Sequence, residues 1–248
     1  MTQSIFSGVR DKSYPFTFNA SLYLPVIVGG IPSDPKIAEG WIRSKVQGPE
    51  SRIQELIAQT VIERKVSTDE AVEIVNKMKN LNGFKRTPEG HLYIEGRYVK
   101  AALKEAVGVA VGAKKISQTG WGVTRKWLSN FLPEHVFVVE NRLTLLDKEG
   151  NPFTEPTEIL QNFPHTHHGS SIQYQEAVRD VTINFTVVSD WNFSDHDWEM
   201  IWTTGEFNGL GASRSQGYGT YAVTRWEKTV NKEAMKRFDD PKKETTKK

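Results

Sequence analysis

GEFNGLGASRSQGYGTYAVTRW, Gly205 to Trp226, places five glycines and Arg214 between the end of an amphipathic helix and the start of a strand. Glycine admits positive φ and puts no Cβ between the main chain and a ligand, so this run reads as a cradle for an anion. Arg214, whose guanidinium forks onto paired oxygens, and Ser215 are the predicted phosphate contacts. The N–H groups of Gly217 and Gly219 are predicted to add neutral donors, Gly211 and Tyr218 belong to the same site, and the segment leads into a last strand expected over Tyr218 to Trp226. No G-K-[ST] follows at P-loop spacing, and the loop comes after a helix and before a strand, the reverse of a dinucleotide fingerprint. A tight helix-to-strand turn is the bland alternative for the same glycines.

Working back from this segment, Ser194 is the predicted cap of a short helix, with Asp197 in its first turn and Trp198, Ile201 and Trp202 on its buried side. Before it, Val181, Ile183, Phe185 and Val187 alternate as a half-buried strand does. Val136 to Leu146 reads as another strand, closed by the turn residues DKEGN. In HLYIEGRYVKAALKEAVGVAV the period changes from a short strand to a helix whose Val99, Ala102, Leu103, Ala106, Val107 and Ala110 share one face. Phe16 to Val28 is a strand rich in β-branched and aromatic residues, and Pro25 predicts an edge or a bulge near its end. Between these, Ile53, Leu56, Ile57 and Val61 form one helical stripe. Ser67 with Glu70 forms a capping box ahead of Ala71, Val72, Val75 and Met78, and Asn82-Gly83 is expected to end that helix.

Treating about 35–89 as a helical insertion leaves the order βαββαβ. That is an α+β, ferredoxin-like (RRM-like) core with an antiparallel sheet, its helices on one face. Residues 1–230 are predicted to form one domain, and 231–248, ending KKETTKK, a basic flexible tail. With 32 Lys+Arg against 30 Asp+Glu, the formal charge is only +2, so any nucleic-acid site must come from local clustering. The absence of cysteine excludes disulfides, thiolate metal sites and cysteine nucleophiles. No apolar run suits a bilayer or a signal peptide, which predicts a soluble cytoplasmic protein with no membrane partner.

Two stretches resemble the RAMP superfamily of CRISPR proteins. LYIEGRYVKAALKEAV, Leu92 to Val107, is similar to the family's strand, glycine turn and helix written I-P-G-S-S-L-K-G-A-L-R, with Gly96, Lys100 and Leu103 in register; Glu95 replaces its proline and Arg97-Tyr98 its two serines. LGASRSQGYGTYAVTRWE, Leu210 to Glu227, looks like its C-terminal glycine-rich loop and final strand, with Gly211, Arg214, Ser215, Gly217 and Gly219 matching. Within the superfamily the chain looks most like the repeated backbone subunit. The resemblance implies single-stranded, guide-like RNA held by its phosphates, a homo-oligomer along that RNA or other RAMP-type subunits as partners, and no cofactor.

Arg97, Lys100 and Lys104 form a basic stripe beginning at a helix N-terminus, where the backbone dipole also favours an anion; a solvated helix face is the alternative. Trp41, Tyr98 and Tyr218 are candidate platforms for bases, against the commoner use of aromatic rings as core. Lys114-Lys115 and Arg125-Lys126 are further candidates for the same groove. A different class of function, an endoribonuclease, would use Asp34, in a loop comparable to one that cleaves RNA in some RAMP subunits, with Mg²⁺, or His168 of PHTHHG. A third reading is a structural or inhibitory protein that enters a ribonucleoprotein complex without gripping RNA itself.

Overall fold

The computed structural model describes residues 14–32, 49–79, 81–112, 128–162, 165–166, 169–170, 173–232 and 234–235. Its strands are β1 (Phe16–Val28), β2 (Ile31–Pro32), β3 (Leu81–Gly83), β4 (Lys85–Arg86), β5 (Leu92–Glu95), β6 (Val136–Val138), β7 (Arg142–Thr144), β8 (Glu158–Asn162), β9 (His165–Thr166), β10 (Gly169–Ser170), β11 (Gln173–Ser189) and β12 (Ala222–Val230). The helices are α1 (Pro49–Arg64), α2 (Thr68–Lys79), α3 (Gly96–Gly112), α4 (Leu128–His135) and α5 (Asp195–Asn208).

The long strands alternate as their sequence dictates. Phe16, Phe18, Ala20, Leu22 and Leu24 of β1 and Val181, Ile183, Phe185 and Val187 of β11 are buried, and they share one core with the apolar faces of α3 and α5. The other face is polar: Ser21 Oγ donates to Asn184 Oδ1 at 2.6 Å and Tyr23 Oη to Asp180 Oδ1 at 2.5 Å. β1 lies between β12 and β11, and β6 pairs with the far side of β11, all antiparallel. β8 also joins β11 antiparallel, whereas β3 joins it in parallel, so the sheet is mixed and the fold is α+β. β4, β5 and β7 form a second, antiparallel sheet. No helix among the described residues is long and apolar enough to cross a membrane.

Pro25 lies opposite Asp180, whose φ is +53°, beyond the last β12 partner at Tyr23. Its missing N–H therefore removes no bond to a second neighbour. The capping box at Ser67 forms as read, Glu70 N donating to Ser67 Oγ and Ser67 N to Glu70 Oε2; the predicted cap at Ser194 is also a box, Asp197 N donating to Ser194 Oγ with Ser194 N returning to Asp197 Oδ2. Ser194→Ala is expected to lower stability by about 1 kcal/mol, read as a shift in the urea midpoint at unchanged slope.

Four local expectations are corrected. Asn82-Gly83 does not end a helix; it is strand β3, because Gly83 and Gly29 meet backbone to backbone and a Cβ on Gly29 would lie 2.2 Å from Gly83 C. Val136 to Leu146 is two strands in two sheets. Glu140 Oε2 accepts the Thr186 N–H and Asn141 O accepts the Gly96 N–H, so the chain leaves β11 and crosses to β5. The last strand starts at Ala222, not Tyr218, since positive φ at Gly217 and Gly219 keeps the chain turning. The expected tail from 231 is anchored at its root: Asn231 N donates to Pro15 O, and Ala234 is buried. The helices of the expected insertion are α1 and α2, while β3 and β4, within its expected bounds, join the two sheets.

Candidate nucleic-acid interface

β5 passes into α3 without a loop at Gly96. A Cβ there would lie 2.0 Å from Glu140 O, so only glycine lets the helix start against that carbonyl. Across from this start, α5 ends at Gly209 and the glycine segment folds into a compact turn. Gly209, Gly211, Gly217 and Gly219 all have φ between +75° and +90°, and Ser213 is left-handed at +54°. Gly205, at the head of the quoted segment, instead belongs to α5 and packs beneath Tyr221, whose Oη would lie 2.2 Å from an added Cβ. Burial of Tyr221 pushes its phenol well above the ordinary range.

Between the turn, the first half of α3, the end of β1 and strands β3 to β5 lies a cleft of about 280 Å³. Its lining includes Gly29, Gly30, Lys85, Tyr93, Glu95, Tyr98, Glu105, Gly211 and Arg214. The two sequence stretches that resemble one family therefore face each other across one cavity. Arg214 lines this cleft, and its Nη1 donates to Glu105 Oε2 at 2.6 Å. Ser215 and Gly217 are exposed, and Tyr218 is half-buried.

The expected role of the glycine N–H groups is corrected. Gly217 N donates to Arg214 O at 2.9 Å and Gly219 N to Val26 O at 3.0 Å, while Leu210 N donates to Gly219 O at 2.7 Å. These donors close the turn and fasten it to β1, so they do not face the cleft as free groups. The structural serine of the loop is Ser213, whose Oγ donates to Gln175 Oε1 at 3.0 Å.

The basic stripe on α3 divides. Arg97 is exposed, pairs with Glu95 and has its guanidinium 5.6 Å from the Tyr98 ring. Lys100 is half-buried with Nζ 4.0 Å from the centroid of the Phe137 ring on β6, and burial pulls its pKa below the usual lysine value. Lys104 is exposed. The stripe is thus not one uniform solvated face, because Lys100 turns its charge toward an aromatic ring.

Sequence reasoning missed the carboxylates. Glu95 binds both Lys85 and Arg97, and the hydrogen bond from Lys85 holds its carboxyl below the usual range while the same bond raises the lysine. Glu176, buried on β11, accepts the Phe84 N–H at 3.0 Å and approaches Arg86 at 3.4 Å, which fixes β3 and β4 at the cleft wall. Glu95 lies within the helix-start motif, just before Gly96, and was visible only as a substitution in it; Glu105 and Arg214, 109 residues apart, share no sequence signal.

Asp34, His168, Trp41, Lys114, Lys115, Arg125 and Lys126 lie outside the described residues. His165 sits on β9, which pairs with β10. Among the described residues, no group of three or more His, Cys, Asp or Glu is placed to hold a metal ion.

Fold and cleft together define an α+β protein with a charged, aromatic-walled groove between a helix start and a glycine turn. No protein-family model matches the sequence, and no curated protein matches it. Among solved structures, the chain is similar to one in the cryo-EM structure of the Type III-B Cmr-beta bound to cognate target RNA. The TM-score is 0.44 and the identity 11%, over 92% of this chain and 69% of that one.

Proposed function

We propose that this chain is a RAMP-type protein that holds single-stranded RNA by its phosphate backbone, as a repeated subunit of a ribonucleoprotein assembly. One observation carries the reading: the strand–glycine–helix stretch at Leu92 to Val107 and the glycine-rich stretch at Leu210 to Glu227 line the same cleft. The antiparallel neighbours β12, β1, β11 and β6 support a ferredoxin-like core, since in chain order they are the fourth, first, third and second strands of βαββαβ. Arg214 at the cleft, with Arg97 and Lys104 exposed on the adjoining helix, would contact phosphates, and Tyr93 and Tyr98 offer ring faces to bases. Most of the affinity would be electrostatic and indifferent to base identity.

Anisotropy titration of a labelled single-stranded RNA over a salt series tests this. Affinity is expected to fall steadily with salt, and Arg214→Ala to weaken binding about three- to tenfold while reducing the salt slope by roughly one contact. Thermal melting separates that loss from unfolding. Absence of wild-type binding at low salt would refute the proposal.

A further inference from the structure

Both basic side chains that line the cleft already have a carboxylate partner. Arg214, on the glycine turn, donates to Glu105 of α3 at 2.6 Å; Lys85, on β4, is bound by Glu95 of the neighbouring strand β5. An open phosphate groove would leave such cations to water. The side chains of Glu105 and Arg214 retain 45% and 36% of their exposure, so the carboxylate can be rehydrated once it is released.

We infer that the cleft is self-neutralised: Glu105 occupies Arg214 until a phosphate of the bound strand displaces it. The inference rests on the reading of this cleft as an RNA site and adds how that site is regulated. The exchange trades one charge-assisted bond for another of the same kind, so a single phosphate gains little from it. A polyanion gains more, because a phosphate next to the displaced pair engages the exposed Lys104 on the same helix, and each contact raises the local concentration of the next. The pair therefore works as a filter that favours strands over isolated anions. It also offers a reason for a phosphate site on a chain of nearly balanced charge, since the unliganded cleft presents little net potential to other acidic molecules. On the other wall Glu95 remains ionised through its bond to Lys85, so that second pair is intact at neutral pH.

Glu105→Gln, Arg214→Ala and the double variant decide the matter, with labelled single-stranded RNA and inorganic polyphosphate as separate probes. Glu105→Gln is expected to tighten RNA binding about two- to fivefold, the range set by an exposed ion pair, and to steepen its salt dependence. The gain should vanish in the Arg214→Ala background. An unchanged or weaker affinity for Glu105→Gln, in a protein that still binds RNA through Arg214, would overturn the exchange. So would a gain that persists without Arg214, which would assign it to relief of carboxylate–phosphate repulsion. If the wild type binds no RNA but Glu105→Gln tightens polyphosphate, the exchange stands and the RNA reading falls. If neither probe responds to Glu105→Gln, the exchange falls.

Discussion

Trp198→Ala is expected to lower stability by about 3–5 kcal/mol, the largest loss of any single substitution argued for this protein. The indole is 2% exposed and stands at the centre of an aromatic cluster, with ring centroids 5.1 Å from Phe18, 5.3 Å from Phe193 and 4.8 Å from Trp226. It joins α5 to β1 and β12 across the buried face of the sheet. Among the described residues its Nε1 has no hydrogen-bond partner, so truncation loses packing and not a polar bond. Trp198→Phe, which keeps a ring against Phe18, should therefore lose only about 1–2 kcal/mol. Urea unfolding reads both as midpoint shifts at constant slope. A loss below about 1 kcal/mol for the alanine variant would show that α5 is not anchored here.

Gly219→Ala should lower stability by about 2–4 kcal/mol and, on the proposed function, weaken RNA binding with it. Its φ is +77°, and the new Cβ would lie 1.9 Å from Leu210 O, inside the pair in which Leu210 N donates to Gly219 O. Both the left-handed strain and the collision must be relieved, and relief opens the turn that carries Arg214. Gly217→Ala is the matched control. Its φ of +87° imposes the strain alone, with no heavy atom within 4 Å of the added carbon, for a loss of about 1 kcal/mol. Equal losses at the two positions would deny that the turn is fixed by close backbone approach.

The capping box at Ser67, the cap at Ser194, the buried stripe of α3 and the alternation of β11 were legible in the sequence because each depends on residues within a few positions of one another. The glycine turn was legible as a turn for the same reason. Its donors were not, since whether the N–H of Gly219 faces a ligand or Val26 O depends on a strand nearly two hundred residues earlier. The run Val136 to Leu146 shows the same limit: its residues favour extended backbone throughout, but Glu140 and Asn141 find partners on β11 and at Gly96 that divide it between two sheets.

The amino-acid order alone therefore determined the long core elements, β1, β11, α3 and α5, and the paired helices α1 and α2, but neither α4 nor the short strands β2, β3, β4 and β8. Tertiary structure alone decided that the stretches at Leu92 to Val107 and Leu210 to Glu227 share one cleft and that carboxylates from α3 and β5 already hold its cations. Periodicity and caps are short-range properties of a chain, whereas an ion pair such as Glu105 with Arg214 exists only after the fold has brought distant backbone within reach.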